Sequence, residues 1–254
     1  MLLGQLIMDA KQVTRKESKR LLKKGLVTVD QVVTTQFASV VDPAWHVITV
    51  DQQVISSDFG HTYYLVHKPK GYLSANKDQQ YPTVIDLIQT TENPGNLAIT
   101  GRLDRDAHGL VFVTNNGQLH YIFQQPKFDI QKTYRVTVNG PINERMIQQF
   151  KVGIVFDDGT ICKPAKLEII STSLQTSTAL VTILEGRRHQ VKKMFLACGV
   201  KVTDLFREKI GELSIGYLEE GDYRQLKKSE IQYLKNIFLL YNRRRESHYE
   251  ANII

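Results

Sequence analysis

Two carboxylates, Asp104 and Asp106, stand two positions apart in "GRLDRDAHGLVFVTNNG" (101–117), with Arg102 and Arg105 interleaved and a strongly apolar run behind them. An ionised carboxylate that is held in place can attack an electrophilic carbon or remove a proton. A pair of them can also act as the acid and base of a glycoside hydrolase, whose carboxyl groups stand about 5 to 9.5 Å apart across a sugar. Residues i and i+2 reach the shorter separation on a strand, but a turn opened by Gly101 does not guarantee it.

The elements around these acids are short and mixed. Near the start, "TRKESKRLLKKG" (14–25) carries a capping box, Thr14 with Glu17 three residues on, and Gly25 placed to end a helix of about three turns. At about 100° per residue, Arg15, Lys16, Lys19, Arg20, Lys23 and Lys24 fall within half of its circumference, and Leu21 and Leu22 point the other way. Six cations against one acid on a single helix face suit phosphate binding better than simple solvation. Short extended segments follow at 26–29 and 45–50, and the polar stretch 52–61 reads as a linker.

Beyond the linker, strands are predicted at 63–67, 97–100, 110–114, 132–138 and 178–184, interrupted by helical patterns in "QLHYIFQQP" (118–126) and "RHQVKKMFLACG" (188–199). Arg187, His189 and Gln190 fall at the start of the second helix, where free N–H groups and the helix dipole favour a phosphate. Lys68 and Lys70 flank Pro69 ahead of Gly71, forming a rigid basic turn of the same use. The class is α+β, with strands spaced too irregularly for a doubly wound parallel sheet. Expected boundaries are a small α/β domain over 1–57, a larger domain over 61–236 and a frayed basic tail over 237–254.

A length of 254 residues supports a sizeable core, and a formal charge of +7 favours a polyanionic partner. With no CxxC pair and no histidine at ligand spacing, Cys162 and Cys198 read as packing thiols and no metal site is expected. No apolar run approaches the roughly 20 residues that span a bilayer, so a cytoplasmic protein without membrane contact is expected.

Three segments together, "HKPKGYLSA" (67–75), "GRLDRDAHGL" with "TNNG" (101–117) and "EGRRHQVKKMF" (185–195), with "KTYRV" (132–136) between the last two, resemble the bacterial rRNA pseudouridine synthases of the small-subunit type. The first 57 residues resemble the S4-type RNA-binding domain that precedes the catalytic domain in that family. The resemblance implies a mixed, mainly antiparallel sheet flanked by helices. It also implies a monomer that needs no cofactor or metal and that binds ribosomal RNA or a small-subunit assembly intermediate. The implied reaction isomerises uridine by cutting its N-glycosidic bond, turning the uracil and rejoining it through carbon. The implied target is 16S rRNA, at uridine 516 in the resembled subfamily. The alternatives are a 23S rRNA enzyme and a catalytically idle ribosome-assembly protein.

The resemblance makes Asp104 the catalytic acid, Tyr134 the active-site tyrosine and Lys192 the basic partner, and gives Arg102 the task of filling the space that an extruded base leaves or of holding the RNA backbone. Tyr134 offers a ring for stacking and a hydroxyl for proton movement, although it shares a strand face with Val136 and Val138 and could equally be a core residue. Asp106 is expected to pair with Arg102 or Arg105, or to hydrogen-bond within its turn. Two departures stand out. Leu2, Leu3, Gly4 and Gln5 replace a charged N-terminal motif, and Ala107 replaces a threonine three residues after the acid.

Overall fold

The structure is a computed structural model that describes residues 1–43, 46–55, 61–89 and 96–250, with 242–250 described by backbone alone. The chain forms two compact units, one made of Met1–Thr62, Asn115–Leu119 and the segment from Leu226, the other of Tyr63–Thr114 and His120–Gln225.

In the first unit, α1 (Leu3–Lys11) and α2 (Arg15–Lys23) precede a small antiparallel sheet of β1 (Val27–Val29), β2 (Val32–Val33), β3 (Ile48–Val50) and β4 (Gln53–Val54), in the order β2-β1-β3-β4. The Thr14 hydroxyl accepts from the Glu17 N–H at 3.3 Å, so the cap read from the sequence forms. Leu3, Leu6, Ile7, Leu22, Val27, Ile48 and Val50 make the core. Gly4 has a structural reason: a Cβ there would overlap the Phe37 ring. Trp45 of the expected extended segment, and 56–60 of the expected linker, lie outside the described residues.

The expected frayed tail takes a different form. Helix runs from Lys228 to Glu250, and Leu234, Ile237, Phe238 and Tyr241 are buried at helical spacing, which gives the helix an apolar stripe to bury.

The second unit is built on a nine-stranded sheet. Its strands are β5 (Tyr63–Lys68), β6 (Ala98–Thr100), β7 (His108–Thr114), β8 (Lys132–Val138), β9 (Lys166–Ser171), β10 (Ser177–Ile183), β11 (Val202–Ile210), β12 (Leu213–Ser214) and β13 (Tyr223–Gln225). The order is β13-β5-β7-β11-β8-β10-β9, with β6 beside β7 and β12 beside β11. All pairs are antiparallel except β7 with β11, so the sheet is mixed and mainly antiparallel, as expected. Helices α3 (Gly117–Gln124), α4 (Glu144–Val152) and α5 (Gln190–Ala197) complete the order.

Register sorts the side chains onto two faces. Tyr134 opposes Val181 and Arg207, Arg207 opposes Gly109, and Gly109 opposes Lys68, so these residues share one face with Val66, Val111, Val136 and Leu205. Met146 and Phe150 of α4 and Val191, Met194 and Phe195 of α5 pack in the same core cluster. The neighbours His67, His108 and Phe206 belong to the other face.

Gly109 sits at φ +109°, and a Cβ there would run into the backbone of Arg207 on β11. Gly109→Ala should lower stability by about 2 kcal/mol or more, a fall in Tm of roughly 4–8 °C for a chain of this size, read by thermal unfolding.

Candidate active site

The loop 101–107 joins β6 to β7 and carries both acids. Its backbone is held by buried polar groups. The Ser74 hydroxyl accepts from the Leu103 N–H at 3.0 Å and donates to the Leu103 carbonyl at 2.9 Å. Arg207, 1% exposed, donates through Nη2 to the Gly101 carbonyl, through Nη1 to the Arg102 carbonyl at 3.5 Å, and through Nε to the Leu110 carbonyl at 2.8 Å. Lys68, 0% exposed, donates to the carbonyls of Pro69 and Tyr72, each at 2.8 Å, and of Arg105 at 3.4 Å. Burial pushes its ammonium down to about 8, against the pull of Asp106.

Lys68 was read from the sequence as a phosphate contact, and the structure corrects this: its charge is enclosed and spent on the carbonyls that shape the loop. Gln190 is corrected in the same way. It is 3% exposed, accepts from the Arg187 N–H at 2.9 Å and donates to Glu185 at 2.9 Å, so at the edge of the cleft it braces the turn before α5.

The two acids differ in what surrounds them. The Asp104 side chain is 30% exposed, with Lys192 Nζ at 3.3 Å from Oδ2 and His189 Nε2 at 3.5 Å from Oδ1. Asp106 is 74% exposed and meets the same Lys192 ammonium at 2.6 Å. That hydrogen bond outweighs burial and holds the Asp106 carboxyl below the usual carboxylate range. Its expected pairing with Arg102 or Arg105 is therefore corrected to Lys192. His189 reaches Asp104 from a left-handed backbone, φ 55°, which few non-glycine residues adopt and which histidine tolerates better than most.

Asp104 lines a cleft of about 1170 Å³ together with Leu103, Tyr134, Val191 and Leu205. Tyr134 is 7% exposed and belongs to the core cluster, yet it also faces the cleft, so the two readings of this residue are compatible. Its hydroxyl stands 3.5 Å from Arg207 Nη1, and the Arg207 guanidinium lies 5.9 Å from its ring centre. Lys132 also lines the cleft; burial first, then the neighbouring Arg207, pushes its ammonium down to about 8.

Exposed arginines rim the cleft, Arg102, Arg105, Arg187 and Arg188, with His189 beside them. Arg187 is tied to Glu185 at 3.1 Å, while the Arg102 side chain has no hydrogen bond or ion pair among the described residues. Lys70, half exposed, pairs with Asp204. In the other unit, Arg15, Lys16, Lys19, Arg20, Lys23 and Lys24 are all exposed on α2, with Arg15 and Lys19 lying 5.2 and 5.9 Å from the Phe37 ring centre. Arg20 is drawn aside to Glu17 at 2.6 Å.

Sequence reasoning missed three cleft residues. Arg207 lies outside the motifs, on a strand whose inward positions include an arginine. Lys132 opens "KTYRV" and Arg188 sits beside Arg187, so a search for every cation in those segments would have found both.

An oriented acid beside a cation, with an aromatic ring lining the same cleft and arginines at its rim, makes up the working parts of an enzyme that acts on a nucleoside within a phosphate chain. The model of the RNA pseudouridylate synthase family matches residues 62–197. Ribosomal small subunit pseudouridine synthase A of Vibrio cholerae serotype O1 is 37% identical over 91% of this chain and 98% of its own length. The uncharacterized RNA pseudouridine synthase YtzG of Bacillus subtilis is 34% identical over 92% and 98%. A crystal structure of a pseudouridylate synthase matches with a TM-score of 0.64 at 32% identity, covering 91% of this chain and 98% of its own. The chain belongs to the RNA pseudouridylate synthase family.

Replacing Lys68 tests the corrected role. Lys68→Met removes the donor that the carbonyls of Pro69 and Tyr72 share, while the Arg105 carbonyl keeps the Gly71 N–H, and should reduce stability by about 3 kcal/mol in urea unfolding, with turnover falling as the loop loosens. Lys70→Met should change stability by less than about 1 kcal/mol.

Proposed function

We propose that this enzyme converts uridine to pseudouridine in the 16S rRNA of the small ribosomal subunit, at the position modified by the resembled subfamily, uridine 516. The observation that carries the reading is the half-buried Asp104 carboxylate, oriented by Lys192 and His189 in a cleft that Tyr134 also lines. The small-subunit assignment rests on the name of the Vibrio relative and on the His189-Gln190 wording of the third motif.

In the proposed mechanism the target base leaves its stack and enters the cleft, Arg102 occupies the gap in the RNA, and Tyr134 supports the uracil face. Asp104 then attacks C1′ or removes a sugar proton as the C1′–N1 bond breaks. The uracil turns and C5 bonds to C1′, displacing the Asp104 carboxylate if it had attacked C1′ or with Asp104 returning the proton to the sugar if it had removed one; the C5 proton is then released and N1 is protonated. Atoms balance without an oxidant or co-substrate. Lys192 balances the carboxylate charge throughout, and Tyr134 and the neighbouring cations stay within reach of the base for proton movement.

The N-terminal 57 residues serve in this reading as an S4-type RNA-binding domain, with the exposed face of α2 meeting phosphates. The protein acts in the cytoplasm as a monomer on rRNA or an assembly intermediate. Among the described residues no helix is long and apolar enough to cross a membrane.

Mapping pseudouridine in rRNA from cells lacking the gene tests the substrate. Loss at uridine 516 of 16S rRNA is expected; loss at a 23S site would move the assignment to the large subunit. Complementation separates the acids. Asp104→Asn should bind RNA yet lose about 10³-fold or more of its activity in tritium release from 5-labelled uridine. Asp106→Asn should stay within about tenfold of wild type, because its partner Lys192 still reaches Asp104 and an exposed pair contributes about 1 kcal/mol or less. Equal loss in both folded variants would require a two-acid mechanism.

For α2, Lys19→Ala and Lys23→Ala should each reduce the slope of log K against log salt by about 1 with little change in sequence preference. An unchanged slope in the double variant would remove α2 from the RNA surface.

A further inference from the structure

On the sheet face that the reaction does not use, two histidines from different strands face each other. His67 is on β5 and His108 on β7, their rings are nearly parallel, and the ring centres lie 6.3 Å apart with Phe206 packed against both. Each ring has one nitrogen engaged. His67 Nδ1 lies 2.8 Å from the Leu218 carbonyl, and His108 Nε2 lies 3.3 Å from Asp204 Oδ2. A carbonyl and a carboxylate only accept, so in the neutral form of each ring these two nitrogens carry the protons and the remaining ones carry lone pairs.

Those remaining atoms, His67 Nε2 and His108 Nδ1, are shut off from solvent and have no hydrogen-bond partner. Buried acceptors are seldom left unpaired, and two in one place call for a shared ligand. The two histidines and Glu220 each offer one ligand atom, a ring nitrogen or a carboxylate oxygen, within 4.8 Å of the others. Glu220 is exposed at a turn that the strand itself holds: the His67 N–H donates to the Asp222 carbonyl at 2.9 Å, and the Gly221 N–H donates to the His67 carbonyl at 2.9 Å.

We propose that His67 Nε2, His108 Nδ1 and Glu220 form a binding site for a divalent transition ion of the zinc class, fastening the turn 218–221 to strands β5 and β7. Two neutral imidazoles and one carboxylate suit zinc, and magnesium and calcium prefer all-oxygen sites. Metal-bound histidines commonly donate their second N–H to a carboxylate or a backbone carbonyl, and here Asp204 and Leu218 fill those two positions. Ligand atoms on one tetrahedral zinc stand about 3.3 Å apart, a closure that rotation of the exposed Glu220 side chain and of the two imidazoles would make. Water completes the fourth position. The site is structural: the ion touches no cleft residue, and it ties the end of β5 to the start of β7, next to the loops that Lys68 anchors.

Tag-free full-length protein, stripped with a chelator, should take up one equivalent of Zn²⁺ in calorimetric titration, gain thermal stability on binding, and give visible d–d absorption with Co²⁺. Glu220→Gln, at an exposed position where folding is not at risk, should weaken Zn²⁺ binding about tenfold or more. His67→Gln and His108→Gln, checked for folding by circular dichroism, should each weaken it about a hundredfold or abolish it. Absence of saturable Zn²⁺ binding by the wild type, or undiminished binding in both folded histidine variants, overturns the proposal. Neither result bears on Asp104, because pseudouridine formation is measured separately.

Discussion

The site depends on two buried cations that hold a loop by its carbonyl groups. Lys68 and Arg207 reach from β5 and β11 to the carbonyls of Gly101, Arg102 and Arg105, on both sides of Asp104. Taking an ammonium and a guanidinium out of water is expensive, and it is tolerated only where every donor finds a well-placed acceptor. The carbonyls of a tight loop are such acceptors, and they would be equally costly to bury alone. Cation and loop therefore order each other, and the aim of the carboxylate follows from that order. Gly109 belongs to the same arrangement, since only a residue without Cβ lets β7 lie against the Arg207 backbone, with Arg207 Nε donating to the Leu110 carbonyl.

Lys192 gives the two acids unequal parts. Its ammonium lies closer to Asp106 than to Asp104, yet Asp106 is solvated and screened while Asp104 is drawn into the cleft. The outer acid holds the lysine ammonium beside the loop, and the inner acid keeps its carboxylate at the cleft wall. One cation shared between a screened partner and a sheltered one is thus a positioning device, and it explains why the loop alternates acids without both of them needing a role in bond making.

Much of this was legible in the sequence, for reasons that differ from residue to residue. The basic face of α2 could be read because helical period alone decides which side chains share a face, and the Thr14 cap formed as its spacing required. The alternation in "KTYRVTV" placed Tyr134 inward, and the order of the motifs singled out Asp104. Lys68 and Gln190 were misread because a lysine that holds a loop and a lysine that holds a phosphate are the same residue in the same turn; burial, set by distant strands, tells them apart. β11 went unseen because "VTDLFREKI" carries a charge at an inward position, which breaks the alternation that marks a strand. In the C-terminal helix the signal was present at 234, 237, 238 and 241, and the run of arginines behind it drew the reading toward a tail.

Strand alternation explains how one sheet can serve two unrelated purposes within a few residues. His67 and Lys68 are neighbours in the chain, as are His108 and Gly109, and Phe206 and Arg207; in each pair the first points to one face and the second to the other. A change of register by one residue would exchange the two sets, placing imidazoles beneath the loop 101–107 and cations against Phe206. The registers of β5, β7 and β11 are consequently fixed from both sides at once, by buried cations meeting carbonyls on the inner face and by histidines packing around an aromatic ring on the outer one. Rigidity at the strand ends that support Asp104 therefore does not depend on the cleft alone, and a contact made on the far face reaches the loop through a single peptide unit.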